Sequence, residues 1–419
     1  MLPAYAAALA LALALAPALA SLGRPVRWHL PLRLLTAGLI VAAVGAGSLH
    51  PVFSLPQPTG PDPVGTTLLK LPPAPAKAAG DELASSPPTL QVWYPAAAAN
   101  RRETAPYALG ATATGVEAYL GTQRLVRTAA RLDAGFLPGG GRRPIVLFVA
   151  SWGGKRWENT AEAQELASHG YVVVAMGDRY PEPPLDLSSE RAFRTTLAWA
   201  DEKVRRSAMD ALAVLDFLSE LDRSDPRGRF THRLDLSRVG IFGFSFGGAV
   251  ALEAASMTSQ FRAVADLDGW LFGAAADRWI DRLVLIMSEG PAAGGSPVAD
   301  MHASSIAAER NAAALDDRSE RQMDAGFARS GGYLLTIAGT NHFNFSDRAF
   351  ASPIRRWVGA GPIAPRRATR IINDYLLAFF GKTLSGQPAP LLEPGAPRDP
   401  AAALSIHAPP RAIDRRLPD

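Results

Sequence analysis

Short apolar runs bounded by turn residues alternate along this chain with stretches of helical period. Gln91 to Pro95 reads as an early strand, and Pro144 to Val149 and Tyr171 to Met176 are continuous apolar runs of the kind a strand covered on both faces shows. Asn159 to His169, between the latter two, has a helical pattern. Val204, Ala208, Ala211, Leu212, Leu215 and Leu218 recur at helical spacing and predict a long amphipathic helix. A strand over Val239 to Phe242, a helix from Ala249 to Met257, strands at Ala263 to Leu267, Leu283 to Met287 and Tyr333 to Ala338, and a helix from Ala368 to Phe380 ending at Gly381 complete the series. Strands alternating with helices predict one doubly wound α/β domain with a mostly parallel sheet, over residues 90–385. The connection from Gly290 to Gly331 is long, with a helical middle from Ser304 to Leu315. It reads either as an excursion that forms or covers a site, or as a helix packed on the sheet.

The chain outside that domain follows other patterns. No residue from Met1 to Gly23 is charged, and Ala4 to Leu22 is almost entirely Ala and Leu, enough for a helix of about 28 Å. A second uncharged run, Leu34 to Leu49, is shorter. Arg24, Arg27 and Arg33 lie between them, so residues 1–50 are expected to form a membrane helical hairpin with its loop in the cytoplasm and the remainder of the chain outside. The competing readings are a signal peptide cleaved after Ala18-Leu19-Ala20, a single anchor, and a cytoplasmic protein with a buried apolar start. Residues 51–89, crowded with Pro, Gly and Ala, read as a linker or surface arm, and 386–419 as a disordered tail.

Composition narrows the chemistry. The 419 residues are 48% hydrophobic and include no cysteine, which excludes disulfides, thiolate metal sites and cysteine nucleophiles. The formal charge is +4, of which the three arginines of the proposed loop supply +3, so no nucleic-acid footprint is left elsewhere.

The candidate chemistry sits at Gly243-Phe244-Ser245-Phe246-Gly247-Gly248. Placed between a strand and a helix, Gly-x-Ser-x-Gly is the nucleophile elbow of an α/β-hydrolase, whose glycines clear the space where strand and helix approach. Ser245 is the candidate nucleophile. A serine needs an imidazole to take its proton and a carboxylate to orient that imidazole. In this fold the histidine follows the nucleophile, and with His407 set aside as part of the expected tail this leaves His302 and His342; His342, just past the last strand, is the better placed. Asp268 clears the end of its strand, Asp266 is expected to lie still within it, and Glu289 after the next strand is a positional rival to both. The backbone amides of Phe246 and, in the loop Ser151-Trp152-Gly153-Gly154, of Trp152 are the candidate oxyanion donors.

The run Gly243 to Gly248, together with Ala265 to Trp270, Leu166 to Gly170 and Asn341 to Asp347, resembles the plasma and intracellular type II platelet-activating factor acetylhydrolases. Pro56 to Thr67 resembles the arm that precedes the catalytic core there, and the likeness covers about residues 51 to 383. It implies the α/β-hydrolase fold, assigns the acid to Asp268, and implies hydrolysis of short acyl esters of phospholipids without calcium, metal or cofactor. Related bacterial hydrolases take broader esters. Two departures, Phe244 where the family commonly has His and Ala150-Ser151 where it has His-Gly, leave the triad intact and bear on the acyl pocket. The expected protein is a membrane-anchored extracytoplasmic serine esterase whose partners are a small-molecule or lipid ester and the bilayer. The alternatives are a general carboxylesterase or polyester hydrolase, a secreted enzyme, and an inactive hydrolase-like binding module.

Overall fold

The computed structural model describes residues 52–72, 88–98, 103–111, 123, 125–180, 186–290 and 306–408. The two apolar segments expected to anchor the chain lie outside them; among the described residues no helix is long and apolar enough to cross a membrane. The strands are β1 Val64–Lys70, β2 Thr89–Pro95, β3 Thr104–Pro106, β4 Arg127–Leu132, β5 Arg143–Val149, β6 Val172–Met176, β7 Leu234–Phe244, β8 Phe261–Leu267, β9 Val284–Glu289, β10 Gly332–Ile337 and β11 Ala402–His407. They form one sheet in the order β11-β10-β9-β8-β7-β5-β6-β2-β1-β4-β3. From β6 through β5 and β7 to β10 every pairing is parallel, as the unbroken apolar runs predicted, and antiparallel partners close both ends.

Helices cover both faces. α1 Thr160–Ser168 and α6 Pro365–Ser385 lie on one face; α2 Glu190–Arg223, α3 Phe246–Met257, α4 Ala274–Arg278 and α5 Ile306–Ser330 lie on the other. The predicted stripe of α2 is buried at Val204, Ala208, Ala211, Leu215 and Leu218, and the Ser189 hydroxyl caps the helix by accepting from the Ala192 amide at 3.2 Å. β5 pairs with β6 on one side and β7 on the other, so the strand order reverses at its carboxyl end. A crevice outside the strand ends at such a switch point is where open α/β sheets place their ligands.

Three expected boundaries are corrected. The sheet begins inside the presumed linker: Pro56 to Pro63 does form an arm, held where the Thr59 amide donates to Glu165 Oε2 at 2.9 Å and the Asp62 amide to the Ser168 carbonyl at 3.0 Å, but β1 then pairs along its whole length with β2. The presumed tail adds β11 to the edge of β10, and Arg367 pairs with Asp399 just ahead of that strand. α6 runs past Gly381 because Leu384 continues its buried stripe, and Gly386, at φ 63°, supplies the left-handed turn that ends it.

Candidate active site

The site is assembled at the carboxyl ends of β5, β7, β8 and β10. Ser245 leaves β7 with φ 57° and ψ −126°, a left-handed conformation costly for any residue but glycine, and α3 starts at the next residue. The flanking glycines make this turn feasible. A Cβ on Gly247 would collide with the Val149 carbonyl oxygen, and one on Gly243 with the Gly247 backbone. The Ser245 amide donates to the Leu267 carbonyl at 2.8 Å, which ties the elbow to the adjacent strand.

Ser245 Oγ lies 2.9 Å from His342 Nε2, and His342 Nδ1 lies 2.7 Å from Asp268 Oδ2. With a carboxylate accepting at Nδ1, the proton sits there and Nε2 is left to accept from the serine hydroxyl. The Asp268 carboxylate is itself fixed, because Oδ1 accepts the Glu289 amide at 2.8 Å. His342 opens a 3-10 turn, His342–Phe345, bound by Asn341 and Asn344 in reciprocal capping hydrogen bonds. Phe244, just before the nucleophile, lies against the imidazole of His342, with ring centroids 4.9 Å apart and planes tilted by 33°.

The other candidate acids do different work. Glu289 meets Asp268 through its backbone. Asp266 is fully buried at the end of β8, with its carboxyl packed where a Cβ on Gly248 or Gly269 would otherwise stand. Burial, and then the charge of Asp268, push its pKa well above the usual carboxylate range. His302 lies outside the described residues. Trp152 packs edge-on against Phe246 at 4.9 Å, so the two residues proposed to donate amides to an oxyanion are neighbours. The excursion after β9 ends in α5, which holds the loop carrying Asp268: Trp270 Nε1 donates to Asp316 Oδ1 at 2.7 Å and the Leu271 amide to Ser319 Oγ at 3.1 Å. Among the described residues, no group of His, Asp and Glu side chains is arranged to hold a metal ion.

Sequence reasoning missed the residues that hold the loop after β5. Glu158 accepts from the Ser151 amide and hydroxyl; its burial raises its carboxyl to about 7. Asp178 accepts from the Gly153 amide at 2.8 Å and pairs with Lys203. One signal was available: Lys203 interrupts the apolar stripe of α2 one residue before Val204.

Comparison with known proteins agrees with this architecture. The family described as platelet-activating factor acetylhydrolase, isoform II, matches residues 213–289, the stretch that carries Ser245 and Asp268. Platelet-activating factor acetylhydrolases of Cavia porcellus and Bos taurus are 24% and 25% identical, over 58% and 59% of this chain and the same shares of their own lengths. That of Gallus gallus is 24% identical over 62% of this chain and 66% of its own. The chain therefore spans less than two thirds of the length of these curated relatives. In fold it is similar to a ferulic acid esterase from Streptomyces cinnamoneus, with a TM-score of 0.61, 24% identity, and 85% of this chain and 100% of that one covered. With the elbow and its neighbouring strands inside the matched stretch, this chain is similar, over its nucleophile region, to the platelet-activating factor acetylhydrolases.

Proposed function

We propose that the protein is a carboxylic-ester hydrolase that works through an acyl-enzyme. The observation that carries this reading is the continuous path from Ser245 Oγ to His342 Nε2, 2.9 Å, and from Nδ1 to Asp268 Oδ2, 2.7 Å, with the serine held on a left-handed turn. Ser245 Oγ attacks the ester carbonyl carbon as its proton passes to Nε2, and the imidazolium returns that proton to the departing alcohol. Water, deprotonated in turn by His342, then cleaves the acyl-serine and restores the enzyme. The amides of Phe246 and Trp152 donate to the oxyanion in both halves.

Short acyl esters, including the sn-2 acyl group of phospholipids, are the substrate class we favour, because the curated relatives are named as acetylhydrolases of platelet-activating factor. A second reading, a general ester hydrolase without headgroup preference, is favoured by a cleft of about 410 Å³ beside the loop after β5, lined by the indoles of Trp152 and Trp199 together with Asp186, Ser189, Arg191, Thr195 and Thr196, a mixed lining that suits esters of varied polarity. Kinetics on acyl esters of graded length, with and without a phosphocholine headgroup, separate the two. Ser245→Ala is expected to cost roughly 10³-fold or more in rate with the fold retained; an unchanged rate removes Ser245 from the mechanism.

The apolar segments in residues 1–50 support anchoring to a membrane with the catalytic domain outside the cytoplasm, close to lipid esters. A topology reporter fused after Asp419 is then active only outside. Activity in the cytoplasm overturns this placement, and a soluble product beginning near Ser21 replaces the anchor by a signal peptide.

A further inference from the structure

We infer that Lys203 and Asp178 are positioning residues that aim the Trp152 amide at the ester oxygen. This rests on the esterase reading above and adds residues that the triad and its oxyanion amides do not include.

The loop after β5, Ser151-Trp152-Gly153-Gly154, contains two glycines and has little intrinsic stiffness. Its amides are tied back almost completely. Ser151 donates to Glu158, Gly153 donates to Asp178 Oδ2 at 2.8 Å, and Gly154 donates to the Ser151 carbonyl at 2.8 Å. The Trp152 amide, between the two carboxylate-held ones, has no acceptor among the described residues. Holding its neighbours on either side fixes the direction of the one donor left over.

Asp178 performs its part only as a buried anion. Its side chain is 4% exposed and that of Lys203, its partner, 1%. A carboxylate so buried is costly unless it is paired, and removing its cation leaves an uncompensated charge that must take up a proton or swing toward water, taking the Gly153 anchor with it. The same ammonium nitrogen lies 4.4 Å from the centre of the Trp152 ring, 5.3 Å from that of Trp199 and 5.2 Å from that of Phe246. One cation therefore touches the side chains of both residues whose amides are assigned to the oxyanion, as well as the carboxylate that anchors the loop between them. A side chain needed only to fill the apolar face of α2 has no reason to carry a charge there. The charge has a reason when it fixes the loop.

Lys203→Met keeps most of the volume and removes the charge. The expected result, on an uncharged short-chain ester such as p-nitrophenyl acetate, is a fall in kcat of roughly 10- to 100-fold with KM within about threefold, since a misaimed oxyanion donor weakens the transition state and not the ground state. Faster hydrogen exchange at the Gly153 amide accompanies it, and Lys203→Arg, which keeps the charge, recovers most of the rate. A folded Lys203→Met protein with wild-type kcat, or with wild-type exchange at Gly153, overturns the inference. If Lys203→Met does not fold, Asp178→Asn/Lys203→Met removes both charges together; a kcat loss of roughly tenfold at unchanged KM supports the clamp and no loss refutes it. A wild type no more active than Ser245→Ala overturns the esterase reading itself, whereas a Ser245-dependent wild type equalled by Lys203→Met overturns only the clamp.

Discussion

Replacing Asp268 by asparagine tests the assignment of the acid with little disturbance elsewhere. Asp268 has φ 58°, a left-handed conformation that asparagine tolerates about as well as aspartate, so the substitution adds no backbone strain. An amide oxygen in place of Oδ1 still accepts the Glu289 amide, which now does so at 2.8 Å. What changes is the group facing His342 Nδ1. An NH2 in place of Oδ2 donates where a carboxylate accepted, so the imidazole proton moves to Nε2, where it blocks acceptance of the serine proton. The wrong tautomer in an otherwise intact site is expected to reduce kcat by about 10⁴-fold, equivalent to about 5 kcal/mol of transition-state stabilisation. The assay is kcat on a short-chain ester, per mole of folded protein judged by circular dichroism, beside Glu289→Gln and Asp266→Asn. A loss below about 10²-fold for Asp268→Asn, or a larger one for Glu289→Gln, would refute the reasoning.

Gly247→Ala sets a Cβ against the Val149 carbonyl oxygen, a backbone atom of a central strand that cannot yield, and is expected to cost at least about 1–3 kcal/mol, read as a fall of several degrees in melting temperature; an unchanged melting temperature contradicts the close approach at the elbow. The Glu158 carboxyl, raised to about 7 by burial, holds a proton in the folded chain that the unfolded chain has already released between about pH 4.5 and 7, so stability falls as pH rises through that window. Glu162, also raised to about 7 by burial, adds to the same slope, and Glu158→Gln should therefore flatten the pH dependence of melting in part; a slope identical to wild type contradicts the assignment.

The central strands were readable because both faces are covered, so burial alone dictates their apolar runs. The outer strands follow other rules. β1 buries Thr66 and Thr67 by partnering their hydroxyls, Thr66 accepting from Gln91 at 3.3 Å and Thr67 donating to Asp133 at 2.6 Å, so no apolar run marks it. β11 lies at the sheet edge, with several positions exposed; its existence depends on the free edge of β10, and its own composition carries little trace of that. Lys203 was visible as a charge on an apolar stripe, but its partner Asp178 is on another element and only the fold brings them together.

The acid shows where local patterning stops. Along an ideal strand Asp266 and Asp268 share a face, and alternation alone cannot say which of them meets the histidine. The chain separates them by ending β8 at Leu267 and turning Asp268 to a positive φ. Asp266 is then left under the elbow, where Gly248 and Gly269 make room for its carboxyl, while Asp268 points toward His342 at 2.7 Å. Both glycines were in plain view beside the motif. That Gly248 and Gly269 make room for a buried carboxyl, with Gly243 and Gly247 closing the turn itself, follows only from the approach of β8 to the elbow, which brings Leu267 within 2.8 Å of the Ser245 amide. The one backbone turn at Asp268 thus separates a carboxylate within 2.7 Å of His342 Nδ1 from a buried acid two residues away.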